Sequence, residues 1–524
     1  MGETDNVDKG GQGGLEHLEQ VSPGQKYEEG HQVQRSPWEA AKQSPKVILC
    51  CVVMSLSPFV TGFDNLIIGL MTAMPAFQST YGDSSGVIPA LWLSLWTSMV
   101  AVGVVVGAML AGLVSDRWGC RVAVMIGGLT AVTGSMICTF ADELDVLQHR
   151  RVLFLFGKII IGCGLGFMLP ASQTYISEVA PAELKGPLLG AYLLSMVCGQ
   201  IIAVAGINAR IMIFTRIGYR LLLAIEAVPT GVAALTPFFI PESPHYFVKK
   251  GDLTKATAAY TRLLSKEEAQ PAVYSLTCAL EHERDIPGSA EAPTFQECFR
   301  GANWRRTRIV WYANMLQSFV GIAMIQNATY FLELGGMSAQ NALNVTTASL
   351  CLMVPAVFIS WYLMARVGRR TILLWGTSAI TVLWLAIGIA GCFDNMTAFW
   401  FVGCAIVVTN FVYGLSVGSV YPVVASETSN LHLRAKTQAT GFALQFLVSW
   451  VFQYVVPYMY STDEGNLGGK VGFIFAGLSA LVLVVIFFEI PEMKGMGVEE
   501  LDARFEQRVS TRTFQRAANP QTEG

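Results

Sequence analysis

Three ionisable side chains stand inside runs that are otherwise apolar: Asp64 in "SPFVTGFDNLIIGL", Lys158 in "GKIIIGCGLGF" and Glu226 in "LLLAIEAVPT". A carboxylate in a low-dielectric site holds its proton more tightly than in water, and a neighbouring cation loosens that hold. An acid and a base in such surroundings can therefore exchange a proton as water access changes. Asp64 and Lys158 carry opposite charges and suit that exchange; the plainer alternative is a static buried ion pair. Lys is a compact charge without the fixed fork of Arg, and it loses its proton readily on burial. Glu226 has three open readings: a second proton site, a group selecting a cationic or strongly donating ligand, or a hydrated carboxylate near the end of its run.

A second set of polar groups lies in the same kind of run: Gln200, Gln317, Gln326, Asn327 and Gln445. An amide donates and accepts hydrogen bonds, which suits a hydroxyl-rich ligand. It can equally join two helices within a membrane. Tyr421, Phe446 and Trp450 can form an apolar or stacking wall, or serve as packing. No cofactor and no nucleic-acid partner is expected.

The elements that must carry these groups follow from composition. Of the 524 residues, 52% are hydrophobic and 14% charged, with a mean hydropathy of +0.46, which excludes an ordinary soluble domain. A helix needs about 20 apolar residues to cross a hydrocarbon core of about 30 Å. Twelve such runs occur, near 47–74, 89–113, 122–140, 152–176, 187–208, 220–240, 308–332, 345–364, 371–392, 398–424, 437–459 and 470–490. Their Gly and Pro content favours packed, sometimes broken helices over a barrel. The expectation is an all-α membrane protein with twelve transmembrane helices in a lipid bilayer.

Residues 1–46 are polar and unlike a cleaved signal peptide, so a disordered cytoplasmic tail is expected there. Cys50, Cys51, Cys138, Cys163, Cys198, Cys351 and Cys404 fall inside spans, which argues against a disulfide framework. With the N-terminus inside, 28 of the 35 Lys and Arg lie on cytoplasmic segments, six lie outside and Lys158 lies within a span. That asymmetry orients the chain with both termini cytoplasmic. "NMT" at Asn395 then falls in an outside loop as a possible glycosylation acceptor.

Three stretches recur at one offset. "SEVAPAELKG" begins at Ser177 and "SETSNLHLRA" at Ser426; Gly119 and Gly368 stand in "DRWGCR" and "RVGRR", again 249 residues apart; "PESP" at Pro241 and "PEMKG" at Pro491 are 250 apart. Two six-span halves in parallel repeat are implied, over 47–240 and 308–490, with a cytoplasmic linker at 241–307 and a tail at 491–524. Within the linker, "GDLTKATAAYTRLLS" reads as a short amphipathic helix. Asp116, Arg117, Arg121 and Glu178 in the first half, and Arg369, Arg370, Glu427 and Arg434 in the second, cluster at cytoplasmic span ends. Such charges can pair with one another or with helix ends and so gate the bundle, or can simply set topology.

"GLVSDRWGCR", "PESPHYF", "RVGRR", "SETSNLHLRAKT" and "PEMKGMGVEEL" resemble the signature motifs of the sugar porter family of the major facilitator superfamily, over about 47–505. "ECFRGANWRRTRIVW" and "NLGGKVGFIFAG" are similar to its fungal hexose and α-glucoside transporters. The resemblance implies a major facilitator fold, alternating access and no enzyme activity. It also implies a plasma-membrane location and a sugar as the small-molecule substrate, bound near Gln200, Gln317 and Gln445. A proton is the implied partner: "GFD" at Asp64 resembles the first-span acid of proton-coupled members, and Lys158 stands where their Arg would be. The chain departs from the family at Cys120, Lys185 and His245, usually Arg, at Ala365, usually Asp, and at Met493, usually Thr. In the substrate region Leu193, Ser318 and Ala323 replace amides, and Pro422 replaces an aromatic. The leading expectation is a proton-coupled hexose or α-glucoside importer. A carrier or exporter of a less hydroxylated metabolite is the alternative, and a non-transporting receptor, which would need a longer tail than the roughly 30 residues after "PEMKG", is third.

Overall fold

The computed structural model describes residues 42 and 44–514, apart from 84–86, 209–215, 265, 286–294, 394, 430–432, 462, 463, 495, 497 and 512. The tail expected over 1–46 lies almost wholly outside the described residues.

Twelve helices among the described residues are long and apolar enough to cross a membrane: α1 (Pro45–Met71), α2 (Ala90–Trp118), α3 (Cys120–Glu143), α4 (Leu147–Val179), α5 (Ala182–Asn208), α6 (Arg216–Phe238), α7 (Gly301–Gln326), α8 (Ala339–Met364), α9 (Arg369–Ala390), α10 (Met396–Thr428), α11 (Lys436–Tyr460) and α12 (Gly468–Glu489). They coincide with the twelve expected runs to within a few residues at each end. The internal repeat reappears as packing. In the first half α1 lies on α5, α2 and α3 lie on α4, and α3 lies on α6; in the second, α7 lies on α11, α8 and α9 on α10, and α9 on α12. The halves meet where α2 packs on α11 and α5 on α8.

The repeat is also atomic. Gly119 and Gly368 precede α3 and α9 with φ of 95° and 105°, a conformation that glycine adopts without strain. A Cβ at either would collide with a carboxylate, Glu242 at 2.2 Å or Glu492 at 2.6 Å. Those carboxylates cap the helices: Glu242 accepts from the Arg121 amide at 3.2 Å, and Glu492 from the Arg369 and Arg370 amides at 3.0 and 3.1 Å. The first N–H groups of a helix have no intrahelical acceptor and favour a negative charge there. Arg121 and Arg370 in turn donate to carbonyls at the ends of α6 and α12, Pro237 at 2.6 Å and Phe487 at 2.7 Å.

Two spans of the second half are broken. The seventh, expected as one helix over 308–332, stops at Phe319; Gly321 takes φ of 90°, and the chain resumes over Ile322–Gln326 and, after Asn327, Ala328–Leu334. The Trp384 indole of α9 donates to the freed Val320 carbonyl at 2.8 Å, so the break leaves that buried acceptor satisfied. α10 is interrupted at Ser416.

The linker carries the expected helix, Leu253–Leu263, capped by Asp252, whose side chain accepts from the Lys255 amide at 3.0 Å. After α12, the helix Val498–Glu506 docks under the second half. Phe505 and Phe514 are buried there, with the Arg306 guanidinium 4.6 Å above the Phe505 ring and Arg305 donating to the Val509 carbonyl at 2.6 Å. Asn395 is exposed and N-caps α10, accepting from the Ala398 amide at 2.7 Å.

Candidate functional site

Asp64, Lys158 and Glu226 come from three different helices, α1, α4 and α6. α1 packs against both α4 and α6, and neighbouring helices press close, a Cβ at Gly62 lying 1.9 Å from the Met196 carbonyl of α5 and one at Gly157 2.5 Å from the Cys138 sulfur of α3. The Lys158 ammonium donates to Asp64 Oδ1 at 2.5 Å, and both side chains are cut off from solvent. Glu226, also buried, faces the pair, and its Oε2 has no hydrogen-bond partner. The hydrated reading of Glu226 is thereby removed. One ammonium stands against two carboxylates in a site without water access, and an isolated buried charge is far more costly than a compensated one.

The amides divide into two groups. Gln317 on α7 accepts from the Tyr413 hydroxyl of α10 at 3.2 Å. The Tyr421 hydroxyl faces Gln317 and Gln445, and Gln445 Oε1 is buried without a partner. Tyr192 of α5 faces Tyr421 from the opposite half, and Gln200 is nearly buried on the same helix. Phe446, half-buried, packs against the core beside them, and the Trp450 indole nitrogen is buried without a partner. Tyr192 and Tyr421 meet where the halves face each other.

Gln326 and Asn327 lie at the break of α7. Gln326 accepts from Gln453 of α11 at 2.6 Å, joining two helices of one half, and Asn327 donates to the Ala323 carbonyl one turn back at 2.9 Å. Tyr413 and Gln453 were not singled out from the sequence; each is a polar residue deep in an apolar run, and that was the available signal.

The charges at the linker-side ends pair within halves. Arg369 donates to Glu427 at 2.8 Å. In the first half Cys120 occupies the place of that Arg, and Glu178 meets His245 instead, at 3.6 Å. Arg121 does not reach Glu178, because its side chain is held by the end of α6. Asp116 is exposed and approaches Lys249 of the linker at 3.6 Å, while Arg117 lies over the neighbouring Trp118 ring at 5.5 Å. The Arg434 side chain lies outside the described residues.

On the face opposite the linker the halves touch. A Cβ at Gly69 of α1 would sit 2.8 Å from the Gln326 carbonyl, and Gln340 of α8 donates to Asn208 of α5 at 2.8 Å. The transporter is closed on this far face.

Two repeated six-helix halves, a buried ionic group in one, broken seventh and tenth spans in the other and one face closed define a secondary transporter of the alternating-access kind. Residues 50–505 match the profile of the family described as "Sugar (and other) transporter", and the chain belongs to that family. It is a multi-pass membrane transporter and not an enzyme. It is similar to the MFS transporter fmqE of Aspergillus fumigatus, 28% identical over 497 residues that cover 92% of this chain and 91% of the relative. It is also similar to the general alpha-glucoside permease of Saccharomyces cerevisiae, 26% identical over 491 residues covering 91% and 78%. Its fold is similar to that of the proton:xylose symporter XylE bound to 6-bromo-6-deoxy-D-glucose, with a TM-score of 0.71 at 20% identity, covering 88% of this chain and 100% of that one.

Proposed function

We propose that the protein carries a hexose or an α-glucoside together with a proton, inward across the plasma membrane, with the linker and both termini cytoplasmic. The observation that carries the coupling is the buried group of Asp64, Lys158 and Glu226. Two carboxylates to one ammonium leave one negative charge uncompensated, and a proton cancels it. Taken up while the site opens outward, that proton lets Asp64 release Lys158, and the halves rock over bound substrate. Released inside, it restores the pair and resets the carrier. The name of the permease relative and that of the symporter of similar fold support the substrate class and the coupling. Gln200, Gln317, Gln445 and Tyr421 are the proposed sugar contacts, and Arg369, Glu427, Glu178 and Arg121 the proposed inner gate.

A second reading has an observation of its own. Leu193, Ser318 and Ala323 stand where sugar porters place amides, and Ser318 and Ala323 are buried. A neutral hydrogen bond contributes about 0.5–1.5 kcal/mol net, so losing three removes about 2–4 kcal/mol from a polyhydroxylated ligand. A carrier of a less hydroxylated metabolite would not feel that loss.

The test is uptake of labelled glucose and maltose by wild type and Asp64→Asn in cells lacking their own hexose and maltose carriers. Wild type accumulates one of the two against its gradient, and Asp64→Asn only equilibrates it. Accumulation by Asp64→Asn with wild-type pH dependence would overturn the coupling, and no uptake of either sugar by wild type would favour the second reading.

A further inference from the structure

The far-face contact between the halves contains a carboxylate that the transport cycle above does not use. Glu333 ends the helix Ala328–Leu334, beyond the seventh span. Its Oε1 accepts from the Gln78 amide of the first half at 3.4 Å, a long contact, and Gln78 also donates to the Thr72 carbonyl at 2.9 Å. Oε2 of Glu333 is buried with no partner at all. No cation faces it among the described residues. Of the ionisable groups on the elements around it, Asp64 on α1 is held by Lys158, Asp83 beyond the helix Pro75–Tyr81 is held by Arg151, Glu427 at the far end of α10 is held by Arg369, and Lys46 is exposed at the opposite end of α1. Tyr81, Tyr330 and Tyr460 are phenols.

We infer that Glu333 is a proton-operated latch on the far face: neutral, it lies half-buried between the halves and keeps that face closed; ionised, it drives the face open. This rests on the proposed reading only in that the far face is taken as extracellular.

The physical reason is desolvation. Closing the face strips water from a carboxylate and returns one weak amide contact, so burial pushes the Glu333 carboxyl up to about 7. In the open state it faces water and titrates near its ordinary value of about 4.3. The folded-in, closed form thus has the higher pKa. Its advantage over the open form is complete below the ordinary value, falls as pH rises, and is gone above about 7. The proton is drawn from and returned to the same side, so the latch biases the cycle without entering its stoichiometry. An external medium made acid favours closure, and a neutral one favours the receptive state.

Hydrogen–deuterium exchange of the full chain in nanodiscs tests this without any substrate, following segments 66–81 and 322–334 at pH 5.5 and pH 8 after correction for intrinsic exchange rates. Wild-type protection is expected to fall about thirtyfold between the two conditions, as the separation of the open and closed pKa values requires. Glu333→Gln stays equally protected at both. The inference is overturned if wild-type protection is unchanged or if Glu333→Gln retains the fall. Should Glu333→Gln not fold, Gln78→Leu removes the one donor to the carboxylate and moves the midpoint of the fall to higher pH; an unmoved midpoint overturns the inference. Failure of proton coupling would show in the uptake of Asp64→Asn and leave these outcomes intact.

Discussion

In the first half, a Cβ added at Gly107 or Gly162 would come within 2.0 or 2.2 Å of a backbone carbonyl on the neighbouring helix; in the second, one added at Gly403 would find its nearest neighbour at 3.6 Å. α2, α3 and α4 are drawn together backbone against backbone, as small residues allow in a membrane. In the second half α8 and α10 meet at Gly403 and Gly414 through the side chains of Val345 and Met353, although α9 still approaches α12 closely, a Cβ at Gly472 falling 2.4 Å from the Gly388 nitrogen, and α7 and α10 are broken. The difference matches the cargo of each half. Three ionisable groups without water need fixed neighbours, since a charge that loses its partner in a low dielectric is destabilised by several kcal/mol. Groups that close around a substrate need helices that bend, and a break already satisfied by Trp384 bends at small cost.

The sharpest challenge to this contrast is Lys158→Met. Leaving Asp64 and Glu226 without a cation is expected to destabilise the first half by about 3 kcal/mol, with part of the loss recovered in Asp64→Asn/Lys158→Met, because that leaves Glu226 as the one carboxylate of the group without its cation. Thermal unfolding in detergent measures both. A double variant no more stable than the single one would show that the pair is not what holds this half. Next in size, Gly107→Ala forces backbone apart and is expected to destabilise by about 1–3 kcal/mol, whereas Gly403→Ala has room and changes stability by less than about 0.5 kcal/mol. Equal shifts in melting temperature would erase the contrast in packing. Trp384→Phe keeps the ring but strands the Val320 carbonyl, for about 1 kcal/mol, and is expected to change turnover more than affinity. Smallest is Gln445→Ala, expected to raise KM for the transported sugar by about two- to tenfold while leaving the melting temperature in place. A loss of stability instead would make Gln445 a packing residue.

The large features were readable from the residues because they rest on properties that sequence carries directly. Span length and apolarity located twelve helices, and the 249-residue offset located the two halves. The opposite signs of Asp64 and Lys158 marked a pair that the fold brings to 2.5 Å. What could not be read depends on a partner distant in sequence. The turn at Gly321 looks like any glycine in an apolar run until Trp384 is placed against Val320. Gln326 and Asn327 have the composition of ligand groups, and their bonds to Gln453 and Ala323 at the break are not visible in the sequence. Glu242 and Glu492 lay within recognised repeats, but their task as caps depends on the left-handed glycines at Gly119 and Gly368, which periodicity does not encode. Glu178 illustrates a substitution compensated in space: Cys120 removed one partner, and His245, from after the sixth span, stands in.

The two carboxylate caps have a consequence for how the chain can be divided. Because Glu242 closes α3 from just beyond α6, and Glu492 closes α9 from just beyond α12, each half carries its own keystone and borrows none from the other. Genes encoding residues 1–285 and 286–524 should therefore yield two polypeptides that insert separately and reassemble into a working carrier when coexpressed. A cut placed before Glu242 would leave the first fragment without its stone and the pair inactive.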